Sequence, residues 1–564
     1  MPLETPVHVA NALANQGYNA DPDAVTLIAA AEDPAAALER TLETVPDDAV
    51  KLTADHVSAA LDRSQSLDST APKADPTPDG TPAGPDPSNP TVSTGDTSPK
   101  STDADGASPV ETEGVGRDGE RDGRGQSVAG SSGERGGPGG SAASSVASGT
   151  VDASSTPGRD AGDAPARSVE VDGDFASTGT GEYEDFVAVF RDRYETLSGT
   201  LRSRVNHRPA DALESMPGNN DAALVGMVSD IRSTASGHWL VELEDTTGTF
   251  PCLVMKDREF ADLVDELLLD EVVAVEGSLA DDGGILFVDA MHFPDVPRTH
   301  DPSTADREVE AALISDVHVG SQEFAADAWH RFADWLHTPE AERIEYLLVA
   351  GDMVEGVGVY PDQDEELDIV DIYEQYEAFN EHLKAVPGDM ETVMIPGNHD
   401  AVRLAEPQPA FDEELRSIMS AHDARISANP STVTVEGVDI LMYHGVSLDE
   451  VIAELPDEKA SYDDPHLAMY QLLKKRHVAP QFGGKTRLAP EEEDHLVIEE
   501  VPDVFHAGHV HKLGWGKYHN VLTINSGCWQ EQTAFQASVN IDPDYGYAPV
   551  VSLDTLDLTV RDFT

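Results

Sequence analysis

Five short polar islands in the second half of this 564-residue chain each close a run of apolar residues. Asp316-Val317-His318 follows AALIS, Gly351-Asp352 follows YLLVA, and Gly397-Asn398-His399-Asp400 follows ETVMIP. His444-Gly445 follows VDILMY, and Gly508-His509-Val510-His511 follows VPDVFHA. Short continuous apolar runs of this kind read as buried strands. In an open α/β sheet, ligand-binding side chains gather at the carboxyl ends of the strands. Every Asp, Asn and His of the five islands stands at that end of its run. The second half is therefore read as an α/β domain whose site is assembled from several strand ends.

The residue types point to a two-metal phosphoesterase centre. Phosphodiester hydrolysis at neutral pH needs an activated nucleophile and a neutralised phosphate, and two metal ions about 3.5–4 Å apart supply both. Asp352 is the candidate bridging carboxylate. Asp316, His318 and His511 would complete the shell of one ion, and Asn398, His444 and His509 that of the other. Such a mixed carboxylate, amide and imidazole shell suits Mn, Fe or Zn better than Ca or Mg. His399 follows Asn398 directly and does not easily address the same ion. It is better placed to bind the scissile phosphate or to protonate the leaving oxygen.

Each island also has a plainer reading. Gly-Asp after a strand is usually a turn, and a lone Asp-x-His is more often a surface pair. Gly-His-x-His says more, because alternate residues of an extended strand share a face. The order of all five islands on successive apolar runs favours the catalytic reading.

Longer stretches around the islands carry a family resemblance. They are LISDVHVGS (313–321), LVAGDMVEGVGVYP (348–361), IPGNHDAVR (395–403), YHGVSLD (443–449), the segment from LLKKRHVAPQ to AGHVH (472–511), and NSGCWQEQT (525–533). These resemble the calcineurin-like metallophosphoesterases, and more closely the small subunits of archaeal family D DNA polymerases, over about residues 184–564. The resemblance implies a 3′→5′ DNA exonuclease that proofreads beside a large catalytic subunit, acting on a single strand or a primer 3′ end. It implies two divalent ions, with Mn2+ expected ahead of Fe or Zn. Related small subunits of eukaryotic replicative polymerases have lost many of these ligands and serve as scaffolds, whereas here every ligand position is filled. The alternatives are a structural assembly subunit and, more remotely, a free-standing phosphatase.

Composition sets a constraint that any DNA-binding reading must meet. Lys and Arg number 36 against 106 Asp and Glu, a formal charge of −70. Nucleic-acid-binding proteins are normally basic. Molar intracellular salt reconciles the two: the Debye length falls to about 3 Å at 1 M, so long-range repulsion from DNA nearly vanishes. The acidic surface then keeps the protein soluble. One concentrated basic run stands out at 472–490. Its Lys474, Lys475, Arg476, Lys485 and Arg487 are read as DNA-phosphate contacts, against the alternative that they balance the adjacent EEED.

Four regions follow from patterning. Residues 1–65 are Ala-rich segments preceded by Asp or Thr, the signature of a small all-α domain. Residues 66–180 are rich in Ser, Gly, Pro and Asp and cannot bury enough apolar surface to offset ordering entropy, so an acidic disordered linker is expected. Residues 184–300 read as an amphipathic helix and then an OB-fold β-barrel with one helical insert. Such a barrel offers a groove for single-stranded nucleic acid, although aromatics there are sparse (Trp239, Phe250). Residues 308–564 read as the α/β metallophosphoesterase domain, two packed mixed sheets flanked by helices. Two cysteines, Cys252 and Cys528, make no disulfide framework and fit a reducing cytoplasm. No signal peptide and no bilayer-spanning stretch are expected, and hence no membrane partner.

Overall fold

In a computed structural model of the chain, the described residues are 9, 19–20, 22–29, 31, 34–42, 51–52 and 57, then 167–564 apart from 174, 176, 178, 180, 182, 361, 362 and 539. In the first group, β1 (Asn19–Ala20) pairs in parallel with β2 (Lys51–Leu52). Helices α1 (Pro22–Ala29) and α2 (Pro34–Leu42) fall on two of the Ala-rich segments. Both begin on proline, which at a first helical position gives up no intrahelical bond.

Most of the stretch read as a linker, 66–180, lies outside the described residues. Its end is not linker. Residues Val169–Asp172 form β3, which pairs antiparallel with Ser431–Val435, and Arg167 Nε lies 2.8 Å from Glu345 Oε2. The alternation in VEVD is a short strand signal that the polar surroundings obscure.

Helix α3 (Tyr183–Arg202) leads into a closed five-stranded barrel. Its strands are β4 (Asp221–Ser233), β5 (Trp239–Asp245), β6 (Gly248–Val254), β7 (Val272–Leu279) and β8 (Leu286–His292). They run β4-β5-β6-β8-β7 around the barrel, with β6 and β8 parallel and the other neighbours antiparallel. Strand β6 alternates Phe250, Cys252 and Val254 inward. Phe250 is thus a core residue and not an exposed stacking ring, because its place in the alternation faces the barrel interior.

The remaining strands form two six-stranded mixed sheets. In chain order they are β9 (Glu310–Ile314), β10 (Ile344–Ala350), β11 (Glu391–Ile395), β12 (Arg425–Ile426), β13 (Ser431–Val435), β14 (Val438–Met442), β15 (Val504–Ala507), β16 (Leu513–Tyr518), β17 (Val521–Ser526), β18 (Tyr547–Ser552) and β19 (Asp557–Asp562). One sheet runs β12-β11-β10-β9-β18-β19, the other β16-β17-β15-β14-β13-β3. Strands β9 to β12 are mutually parallel, as are β14, β15 and β17. Between the sheets, Leu313, Leu348 and Ile395 share a core with Ile440, Met442 and Ile524. On the outer side of the first sheet pack Trp329 and Phe332 of α4 (Ala326–Leu336) and Tyr376 and Phe379 of α5 (Ile372–Leu383). On the outer side of the second pack Met469, Leu472 and Leu473 of α6 (Pro465–Lys475). The central strands are covered on both faces, which is why they read as continuous apolar runs and not as alternations. This layering brings the carboxyl ends of both sets of parallel strands to one edge.

The basic run at 472–490 divides in two. Lys475 is fully buried; its Nζ lies 3.2 Å from Glu271 Oε2 and donates to the Glu266 carbonyl at 2.7 Å. Lys474 pairs with Glu266 at 2.6 Å and lies 4.0 Å over the Phe293 ring. Arg476 is buried too and donates to the carbonyls of Ile498, at 2.7 Å, and Glu499. The charges of these three are engaged within the protein, which argues against a contact with DNA phosphates. They lie at the end of α6, where cations are favoured by the helix carbonyls, and the two lysines neutralise Glu266 and Glu271 on the barrel side. Lys485 and Arg487 are exposed. Arg193 of α3 makes a second buried link, 2.7 Å from Asp494, which His477 Nε2 also approaches at 3.0 Å. Buried pairs are screened far less by salt than exposed ones.

Lys475→Ala should therefore act on stability and not on DNA. Leaving Glu271 buried and unpaired should cost about 3–5 kcal/mol, read by denaturant unfolding in concentrated KCl, with DNA affinity of the folded protein unchanged. Weakened DNA binding with unaltered unfolding would return Lys475 to a phosphate contact.

Candidate metal centre

The strand ends converge. Asp316 and His318 follow β9, Asp352 follows β10, Asn398 and His399 follow β11, His444 follows β14, and His509 and His511 follow β15. Their ligand-capable atoms form three groups, each within 4.8 Å: Asp316, His318 and His511; His318, Asp352 and His399; and Asp352, His444 and His509. Asn398 joins through its Oδ1, 3.0 Å from His444 Nε2. All eight side chains singled out around the islands are thus brought together.

Local backbone makes this possible. Asp316, His318, Asp352, His509 and His511 all have positive φ, at 52°, 55°, 50°, 72° and 54°. Sparsely populated backbone of this kind costs about 1–3 kcal/mol per residue and persists where the surroundings enforce it. His509 and His511 lie beyond the end of β15, so they do not share one strand face. His511 reaches Asp316, with Nε2 3.5 Å from Oδ1, while His509 belongs with Asp352 and His444. Two glycines are required by close approach. A Cβ at Gly397 would sit 2.2 Å from Asp352 Oδ1, and one at Gly508 would sit 2.2 Å from Asp316 Oδ2.

Hydrogen bonds then aim the ligand atoms. The His399 amide donates to Asp352 Oδ1 at 2.8 Å, and the His509 amide to Asp316 Oδ2 at 2.9 Å. Asp400 accepts from the Gly397 amide at 2.8 Å and from Tyr376 Oη at 2.9 Å, which holds the loop after β11. His444 Nδ1 faces the Ala350 carbonyl at 2.9 Å, and His399 Nδ1 the Glu355 carbonyl at 2.8 Å. A carbonyl accepts only, so each Nδ1 carries a proton and each Nε2 faces the centre. His444 Nε2 points at Asp352 Oδ2, 3.1 Å away, and at Asn398 Oδ1. With a neutral His444, carboxylate, imidazole lone pair and amide oxygen would converge there with no donor among them.

Positive charge resolves that convergence. Burial opposes a charged His444, but the Asp352 carboxylate overrides it and pushes the imidazole up to about 10. Burial likewise opposes charge on His318, and Glu355, Asp316 and Asp352 hold it well above its ordinary value. Against their own burial, Asp316 and Asp352 are held well below the carboxylate range by the neighbouring histidines. A divalent cation supplies the same charge, and its binding would release protons from these imidazoles. The donor set fits such a cation.

Several supporting side chains were not singled out in the sequence. Glu355 Oε2 lies 2.9 Å from His318 Nδ1, off the hydrogen-bond axis, so the contact is one of charge. Glu355 also accepts from Gln530 Nε2 at 2.7 Å and from Tyr360 Oη at 3.1 Å. Burial raises its carboxyl, yet His318 brings it down to about 2, so it stays ionised. Its signal was present: an acid three residues after Asp352 in the glycine-rich GDMVEGVG. Gln536 approaches His511 Nδ1 at 2.9 Å, and Asp449 Oδ2 lies 3.4 Å from His509 Nε2. Burial raises Asp449, while His509, Tyr462 and Lys485 together hold it down. Lys485 therefore stands at the rim on the His509 side.

Comparison with known proteins gives concordant results. Residues 311–513 match the family model for the B-type subunits of DNA polymerases alpha and epsilon. The chain is 62% identical to the DNA polymerase II small subunit of Halobacterium salinarum over 100% of both chains. It is 43% identical to that of Archaeoglobus fulgidus over 66% of this chain and 75% of the relative. With the small subunit of Methanothermobacter thermautotrophicus it shares 40% identity over 67% of this chain and 80% of the relative.

Glu355→Gln tests how the centre is supported. Partners behind a metal-ligating histidine are typically worth 10- to 100-fold in metal affinity. Titration calorimetry should show Mn2+ binding weakened by about that factor with the fold intact. Unchanged affinity would remove Glu355 from any role in orienting His318.

Proposed function

The chain belongs to the DNA polymerase II small-subunit family, and from that premise we propose that it is the metal-dependent 3′→5′ DNA exonuclease of a two-subunit replicative polymerase, proofreading beside a large catalytic subunit. One observation carries the reading. Carboxylate, imidazole and amide acceptors crowd around Asp352 with strained backbone at five of the ligand residues. A purely structural subunit has no use for that arrangement, and strain of this kind clusters at working sites.

In this reading Asp352 would be shared by two divalent ions, Mn2+ foremost, with Fe or Zn as alternatives. Asp316, His318 and His511 would hold one; Asn398, His444 and His509 would hold the other. Bound there, the pair would supply an activated nucleophile and neutralise phosphate charge. The remaining work falls to the chain itself. His399 is oriented by the Glu355 carbonyl, which keeps the proton on Nδ1 and leaves Nε2 to the centre. Once protonated, that nitrogen can donate to the scissile phosphate or hand a proton to the leaving oxygen. Lys485 and Arg487, the exposed members of the basic run, are the remaining candidates for phosphate contacts.

The barrel is read as an OB-fold, supported by its strand order and by the parallel β6–β8 pair that closes it. With Phe250 buried, stacking of bases on the barrel loses one of its two candidates. A role in gripping the large subunit or the DNA backbone is favoured. Among the described residues no helix is long and apolar enough to cross a membrane. A cytoplasmic location follows from the proposed replication role.

The test is cleavage of single-stranded DNA with Mn2+ in concentrated KCl, with and without the large subunit. Asp352→Ala should abolish cleavage while the protein stays folded. His399→Ala should retain metal and lose about 10²- to 10⁴-fold in turnover. A wild-type protein inactive with Mn2+, Fe2+ and Zn2+ alike would favour the scaffold reading. Loss of metal in His399→Ala, with the rate per bound metal unchanged, would make that residue a ligand.

A further inference from the structure

Beside the centre, on the His318 and His399 side, lies a cavity of about 430 Å³ whose lining includes Tyr360, Phe535, Glu323, Glu365 and Glu366. Its volume is within the range of small-ligand sites, about 300–1,000 Å³. Phe535 stacks on Tyr360, with centroids 5.2 Å apart and planes 25° from parallel, yet remains 48% exposed. One ring face is covered and the other is open. An aromatic left half-exposed on a rigid support is poised to stack on a planar ligand.

The support is wired to the centre from both sides. Tyr360 Oη lies 3.1 Å from Glu355 and 3.1 Å from Glu366, sharing its single proton between them, and Glu355 faces His318. Phe535 lies on the short helix Ala534–Ser538, whose Gln536 holds His511. Tyr360 is also 6.3 Å, ring to ring, from His399. A base stacked on this pair would leave its own sugar and 5′ phosphate within reach of His399. The cavity wall itself is acidic and offers no cation. A further phosphate on the 3′ side would meet Glu323, Glu365 and Glu366 and be repelled.

Resting on the nuclease reading above, we propose that this cavity is the subsite for the terminal nucleoside of the strand: Phe535 stacks the last base, and the acidic wall admits a free 3′ hydroxyl but not a continuing strand. The site thereby selects ends over internal phosphodiesters. Phe535 sets where the strand stops, and the scissile phosphate lies one nucleotide inward, beside His399.

The experiment uses the full chain with its large subunit in concentrated KCl, and single strands carrying 2-aminopurine at the 3′ terminus. Binding in Ca2+ should quench the terminal fluorophore. Phe535→Ala should abolish the quench and raise KM with Mn2+ about 10- to 100-fold, as expected for the loss of one base stack, with kcat within about twofold. Phe535→Tyr should restore both. On strands ending in an abasic residue, wild type and Phe535→Ala should match. A 3′-phosphorylated strand should be cut more slowly than a 3′-hydroxyl strand, with the gap narrowed in Glu365→Gln. Wild type that cuts DNA without terminal quench, or Phe535→Ala that loses equally on normal and abasic ends, overturns the subsite and leaves the nuclease reading standing. Wild type that quenches the terminal base but cuts nothing supports the subsite and overturns the nuclease reading.

Discussion

Asp352 is the point on which the rest of the structure depends. It is a carboxylate held without solvent among imidazoles and a side-chain amide oxygen, and it accepts a backbone hydrogen bond from the residue after Asn398. Buried acceptors facing one another are costly unless positive charge stands between them. The proton on His444 serves that purpose, and in the proposed reading a divalent cation would serve it as well. The crowding is therefore a built electrostatic hole, and the neighbouring backbone is bent into the left-handed region to create it.

The two-sheet architecture is what makes such a hole rigid. The candidate ligands come from five parallel strands in two sheets, and each strand is locked by apolar packing on both faces. A shift of one sheet against the other would separate Asp316 and Asp352 on the first from His444, His509 and His511 on the second. The buried ion pairs Lys475–Glu271 and Arg193–Asp494 fix the barrel and α3 to the same body. In a chain of net charge −70, these links are placed where salt screens them least.

Much of this was legible in the sequence, and the reasons are specific. The convergence of the candidate ligands could be read because each stands at the end of an apolar run, so periodicity and chemistry pointed to the same place. The barrel strands could be read from their alternation. The basic run misled because a cluster of Lys and Arg looks the same whether it faces DNA or a buried acid. Glu266 and Glu271, which decide the matter, lie about two hundred residues away in the chain. Glu355 was passed over for a related reason: its partner His318 is distant in sequence. Phe535 and Tyr360 lie 175 residues apart in the numbering, and only folding stacks one on the other. Strand β3 hid within a stretch whose composition argued for disorder.

We propose that two cations sit astride Asp352. Crystals of the full chain soaked in Mn2+ and measured at the manganese absorption edge test it most directly. Two anomalous peaks should appear about 3.5–4 Å apart, one beside Asp316, His318 and His511, the other beside Asn398, His444 and His509, with Asp352 touching both. A single peak, or peaks that do not involve Asp352, would contradict the account.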